Sequence, residues 1–228
     1  ELTLHLQMQN KLPGEVVSHN VMAEITGSKY PDEIVLISAH IDSWDEGTGA
    51  IDDGAGVAIV TAAAKHIQDL PQKPARTVRV VLYAAEEIGL VGGKAYAEAH
   101  KAELPLHYIA AESDFGAGPI YQIDTKVSDN VFAQVQESIK PMTYNGVALG
   151  NNQASGGPDV SMLPALGVPV ASLRQDGHDY FDYHHTPNDT LDKINPKALA
   201  QNVAAYAQFA YIMANSNLVL TPISTESK

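Results

Sequence analysis

The spacing of apolar and polar positions changes several times along the chain, and each change marks an element. Residues 2–27 alternate (Leu2, Leu4, Leu6; later Val21, Ala23, Ile25), which predicts antiparallel strands joined by a turn at Pro13-Gly14. Residues 27–32 read as a second turn. Residues 34–40 (IVLISAH) are nearly continuously apolar, the pattern of a strand buried on both faces. Residues 77–83, 106–111 and 169–173 repeat that pattern. Between these runs, helices are expected over 57–70, 90–101 (despite Gly92 and Gly93) and 129–139, the last with Ser128 as its cap. A short helix is expected near 160–166. A final helix opens with Pro196 in its first turn and runs to about Ala214. Residues 47–56 and 145–158 read as glycine-rich loops and 174–190 as a polar, aromatic loop. The tail from Ser216 is expected to fray. Strands alternating with helices predict an α/β fold: a mixed, mostly parallel central sheet with helices on both faces. No internal repeat or interdomain linker interrupts residues 1–228, so a single domain is expected.

Composition narrows the function. The chain has 228 residues, 45% apolar and 18% charged, enough apolar material for a substantial core. Lys and Arg number 14 against 27 Asp and Glu, a net charge of −13. So acidic a surface repels phosphate backbones and anionic lipid, and no apolar run reaches the length of a membrane span; neither nucleic acid nor membrane is an expected partner. The absence of cysteine excludes a disulfide scaffold, a cysteine zinc site and a thiol nucleophile. No signal peptide is visible, and the chain opens at Glu1 rather than Met, so a preceding segment is expected to be missing.

The unusual residues fall where the predicted strands end, which is where open α/β sheets bind ligands. His40 and Asp42 stand two apart at a strand end, so one can bind a metal while the other orients the imidazole. Asp52 and Asp53 lie between glycines just before a helix, where an oxygen ligand could sit over the strand ends, although taken alone ordinary turn and cap chemistry is the plainer reading. Glu86 and Glu87 follow a buried strand directly and point apart, which suits one metal ligand and one general base; a solvated loop explains the pair equally well. Asp114 follows the next strand, and His184-His185 stand together in a late loop, with Asp189 and Thr190 readable as turn and cap residues. Taken together, imidazole and carboxylate groups at successive strand ends suit zinc, and also manganese or cobalt. No phosphate loop, dinucleotide fingerprint or nucleophile elbow competes.

Five segments carry a family resemblance: His40-Ile-Asp42-Ser43, Gly49-Ala-Ile-Asp52-Asp53-Gly-Ala-Gly56, Glu86-Glu87-Ile-Gly89, Glu112-Ser-Asp114 and His185-Thr-Pro-Asn-Asp189-Thr190. In this order they resemble the co-catalytic di-zinc peptidases of the bacterial leucyl aminopeptidase and plasma glutamate carboxypeptidase family. Ser43-Trp44-Asp45 and Gly157-Pro158-Asp159-Val160-Ser161 look closer to the second branch. The resemblance implies a zinc-dependent exopeptidase fold and two Zn²⁺ per chain. Asp52 would bridge them, His40 and Asp114 would complete one site, and Glu87 and His185 the other. Glu86 would be the general base and Asp42 would hold the His40 ring. His185 is chosen because it directly precedes Thr-Pro; His184 is the alternative. A cis peptide after Asp52, a peptide substrate and a secreted or periplasmic location are also implied. So is a preceding segment, since many relatives carry an N-terminal helix and some a protease-associated insert. The expected activity is a metallo-aminopeptidase or dipeptidase. Alternatives are a carboxypeptidase for small dipeptides, a one-metal glutaminyl-cyclase-like transferase, and a receptor-like domain that keeps the fold without the metals. Tyr180, Phe181 and Tyr183 either line a pocket or support the His loop. Asp176 and His178 are weaker candidates for substrate contact. Arg174 pairs either with a neighbouring acid or with a substrate carboxylate.

Overall fold

In a computed structural model, which describes residues 2–11, 14–220, 222 and 223, the chain is built around strand β2 (Tyr30–His40). Its neighbours are β3 (Arg76–Tyr83) and β4 (His107–Glu112), both parallel to it. β7 (Val170–Gln175) extends the parallel set beyond β4. β1 (Val21–Ile25) lies antiparallel on β3, β5 (Ile120–Lys126) antiparallel on β7, and the two-residue β6 (Ala148–Leu149) parallel to β5. The order across the sheet is β1-β3-β2-β4-β7-β5-β6.

The continuous apolar runs follow from burial on both faces. Successive side chains of a strand point oppositely, so Val35, Ile37 and Ala39 of β2 enter one core while Ile34 and Leu36 enter another. The first core is closed by α1 (Ala55–Gln68), α3 (Asp129–Ile139) and α5 (Pro196–Ala214), through residues such as Ile59, Ile139, Tyr206 and Phe209. The second is closed by α2 (Val91–Ala99), through Tyr96 and Ala97, and by a 3₁₀ turn at Leu163–Leu166. Helices therefore cover both faces, as the sequence predicts. α5 begins at Pro196 as expected, and Asn195 caps it: its Oδ1 accepts from the amides of Lys197 (2.9 Å) and Ala198 (3.3 Å).

Several expectations fail for identifiable reasons. Leu2, Leu4, Leu6 and Met8 alternate but form no strand; they are exposed, because alternation makes a strand only where a partner completes the ladder. Pro13, half of the expected turn, lies outside the described residues. β2 already begins within the expected 27–32 turn, at Tyr30, with a register break before Ile34. Ser128 occupies the cap position of α3, but its hydroxyl makes no capping bond. The expected helix at 160–166 is only the 3₁₀ turn, and the 174–190 loop contains a short helix, α4 (Tyr180–Tyr183). Of the tail expected to fray, residues 217–220, 222 and 223 are described, and they dock: Leu220 is buried, Tyr108 donates its hydroxyl to the carbonyl of Leu218 (3.0 Å), and Ile223 donates its amide to the carbonyl of Gly167 (3.0 Å); the rest of the tail lies outside the described residues. Among the described residues, no helix is long and apolar enough to cross a membrane.

Candidate metal centre

The carboxyl ends of β2, β3 and β4 deliver His40, the Glu86-Glu87 pair and Asp114 to one edge of the sheet. The turn before α1 brings Asp52 over them, and the loop after α4 brings His184 and His185 from the far side. Two glycines make that turn feasible. Gly49 has φ +63°, and a Cβ there would lie 2.5 Å from the Ser43 hydroxyl; a Cβ on Gly56 would lie 2.1 Å from the carbonyl of Ser113. The peptide between Asp52 and Asp53 is cis, as the resemblance implies. Asp53 is not aimed into the cluster. Its carboxylate is buried and accepts from the amides of His40 (3.1 Å) and Gly56 (3.0 Å), tying the end of β2 to the start of α1.

Asp52 stands at the centre with its two oxygens turned to different partners. Oδ1 lies 3.0 Å from Nε2 of His40, which is also 3.5 Å from Oδ1 of Asp114. Oδ2 lies 3.2 Å from Nε2 of His185 and 3.3 Å from Nε2 of His184. His185 is in turn 2.9 Å from Oε2 of Glu87. The two imidazoles stack with centroids 3.5 Å apart, so both histidines are within reach of Asp52, while the ion-pair distance to Glu87 belongs to His185. His185 and Ala85 both take left-handed backbone (φ 57° and 58°), uncommon for residues with a Cβ and characteristic of sites whose surroundings over-determine them.

Asp42 holds His40, although not mainly through its carboxylate. Nδ1 of His40 is 3.0 Å from the main-chain oxygen of Asp42 and 3.6 Å from its Oδ1. A carbonyl can only accept, so Nδ1 carries a hydrogen and Nε2 is the nitrogen whose lone pair a bound cation would take. The Asp42 carboxylate accepts instead from the amides of Glu86 (3.0 Å) and Glu87 (3.2 Å), fixing the loop that carries both.

Two further residues complete the frame. Asp189, readable from sequence as a turn residue, is buried; its carboxylate accepts from the amides of Ile51 (2.6 Å) and Asp52 (3.1 Å) and so locks the His loop to the turn before α1. Trp44 donates its indole N–H to Oε2 of Glu87 (2.9 Å), with its ring 5.5 Å from that of His185. Tyr180 is buried, stacks on Phe115 and lies beside His184, so it both supports the loop and lines the cleft, whereas Phe181 stands exposed at the rim. Asp176 and His178 line a neighbouring cavity rather than the cluster. Arg174 pairs with an acid, Asp124, at 2.7 Å.

The electrostatics show what the cluster lacks. Burial opposes charge on His40, yet Asp114, Asp52 and Asp53 push its pKa up to about 12: the acids draw a positive charge into their midst. Oε1 of Glu87 is buried with no hydrogen-bond partner. The imidazoles of His40 and His185 and the carboxylates of Asp52, Asp114 and Glu87, the last with its orphaned oxygen, form a donor set suited to divalent cations of the zinc type. Burial pushes the Glu86 carboxyl up to about 7, against the pull of His40 and with added repulsion from Asp114, Asp159 and Glu87. A carboxylate of that basicity is matched to proton transfer near neutral pH.

Comparison with known proteins gives the family and the fold. The model of Peptidase family M28 matches residues 20–210. Carboxypeptidase Q of Rattus norvegicus is 39% identical over 220 residues, covering 96% of this chain and 46% of that protein. The crystal structure of a Peptidase M28 precursor from Shewanella amazonensis SB2B superposes with a TM-score of 0.89 at 75% identity, over 91% of this chain and 47% of that one. An aminopeptidase from Aneurinibacillus sp. strain AM-1 superposes with a TM-score of 0.69 at 30% identity, over 91% of this chain and 51% of that one. The chain thus spans about half the length of these relatives.

Proposed function

The chain belongs to peptidase family M28, and from that premise we propose that it is a zinc-dependent exopeptidase removing N-terminal residues from peptides or dipeptides. The observation that carries this reading is the Asp52 carboxylate, whose two oxygens serve two groups of ligands with Glu86 alongside. His40, Asp114 and one oxygen of Asp52 would hold one Zn²⁺; Glu87, His185 and the other oxygen would hold a second. When bound, the metals supply Lewis acidity, polarising the scissile carbonyl and acidifying water. Glu86 takes a proton from the attacking water on its carboxylate and delivers it to the leaving amine nitrogen. Asp42 keeps Glu86 and Glu87 in place through their amides and keeps the His40 ring oriented through its carbonyl. The acids lining the cleft attract a free substrate ammonium, which favours cutting at the N-terminal end.

A carboxypeptidase acting on dipeptides is a second reading, favoured by the likeness to rat Carboxypeptidase Q. The two activities give the same products from a dipeptide and diverge on longer peptides. A receptor-like role is disfavoured because each expected ligand position carries a competent donor. We place the protein outside the cytoplasm, secreted or periplasmic; the description of the Shewanella neighbour as a precursor supports this. Replacing Glu86 by Gln tests the mechanism: turnover of an aminoacyl p-nitroanilide should fall by about 10²–10⁴-fold while bound zinc, measured by elemental analysis, stays unchanged. Near-wild-type turnover would overturn the base assignment.

A further inference from the structure

β4 and β7 pair only at Ala110 and Val170. Beyond that point residues 155–157 come between them: the amide of Glu112 donates to the carbonyl of Gly156 (2.9 Å), and the amide of Gly156 donates to the Ser172 hydroxyl (3.0 Å). The strands therefore part at their carboxyl ends, and a cavity of about 380 Å³ opens in the gap. It shares Asp114, Phe115 and Pro158 with the cleft over the metal ligands, so the two adjoin.

Among the described residues, Arg174 is the only lysine or arginine lining either space. Its Nε donates to Oδ2 of Asp124 at 2.7 Å. Asp124 is itself buried and fixed by the amide of Asn151 (2.9 Å) and by Gln122 (2.8 Å), so the guanidinium is anchored at one corner. No other hydrogen-bond acceptor among the described residues engages its remaining four N–H donors. An arginine serving Asp124 alone would present its two-pronged edge to that carboxylate; here a single N–H does so, and the half-exposed side chain, which lines the cavity, keeps its other donors unengaged.

The geometry points to Arg174 as a carboxylate subsite: it receives a carboxylate of the substrate on the leaving side of the scissile bond. This rests on the exopeptidase reading and deepens it by naming the chemistry recognised beyond the cut. The other charged groups of the two linings, the tandem histidines apart, are the acids Asp52, Glu86, Glu87, Glu112 and Asp114, which repel a substrate carboxylate and leave Arg174 as the cationic side chain that can receive it. The carboxylate has two sources, the C-terminus of a short peptide or an acidic side chain after the cut.

Hydrolysis by the zinc-loaded chain of Ala-Leu against Ala-Leu-amide, and of Ala-Glu-amide against Ala-Gln-amide, separates them. A main-chain source predicts a preference of about tenfold or more for the free acid over its amide, mostly in KM. A side-chain source predicts a similar preference for the Glu amide over the Gln amide. In either case Arg174→Gln brings the preferred ratio to within about twofold of one, and Arg174→Lys recovers part of it. No discrimination in either wild-type pair overturns the proposal without any variant. So does a preference that survives Arg174→Gln, since the metals would then be its source. If none of the four is cleaved, the exopeptidase reading fails, and calorimetric titration with the same four compounds still decides the subsite. Binding of one carboxylate compound about tenfold tighter than its uncharged partner, lost in Arg174→Gln, supports it; equal affinities in both pairs overturn it.

Discussion

Oε2 of Glu87 meets two constraints, the indole N–H of Trp44 and the imidazole of His185, and the side chains beside it decide how well it can serve as a ligand. Groups that orient a metal ligand typically govern ten- to a hundredfold in affinity. Trp44→Phe keeps the ring beside His185 but removes the donor, so it should weaken the more loosely held zinc by roughly tenfold, read by competition with a chromogenic chelator. Unchanged affinity would show that the indole only packs. The tandem histidines separate by stoichiometry. His185→Ala should leave about one zinc per chain, because His185 lies within ion-pair distance of both Asp52 and Glu87. His184→Ala should leave two; the reverse result would move the ligand to His184.

Asp189 acts between elements. Its carboxylate joins the loop after α4 to the turn before α1 across 138 residues of sequence. Asp189→Ala leaves two buried amides without acceptors at a cost of about 2–4 kcal/mol, which should lower the Tm of metal-free protein by roughly 5–15 °C. A change under about 2 °C would mean that water replaces the carboxylate. This link was not legible in the sequence, where an acid beside Thr in a loop looks like any turn. The same limit hid β5, because Asp124 and Thr125 are buried polar residues within it and Asp124 is satisfied by partners from 122, 151 and 174. Local pattern also misread both ends: Leu2, Leu4 and Leu6 alternate without a partner, while Leu218 and Leu220 find partners that no periodicity announces. The parallel core strands were legible because burial on both faces leaves a continuous apolar run. The candidate ligands His40, Glu87 and Asp114 were legible because imidazole and carboxylate groups follow the ends of those runs.

For the whole molecule, the net charge of −13 and the acid-lined cleft act together. The sheet gathers its acids at one edge, where they raise His40 and add to the burial that raises Glu86, and where they hold a place for cations. The fold supplies this arrangement from three strand ends, the turn before α1 and the loop after α4, and the cavity between β4 and β7 adjoins it with Arg174 in its wall. The central claim is that this edge is a two-zinc hydrolytic centre, and one titration tests it most directly. Chelator-stripped protein is given zinc stepwise while bound metal and hydrolysis of leucine p-nitroanilide and of Ala-Leu are followed together. The account predicts hydrolysis of at least one substrate that climbs with occupancy and levels off at two zinc ions per chain. Saturation at two ions without hydrolysis of either substrate, or failure to bind zinc at all, would contradict it.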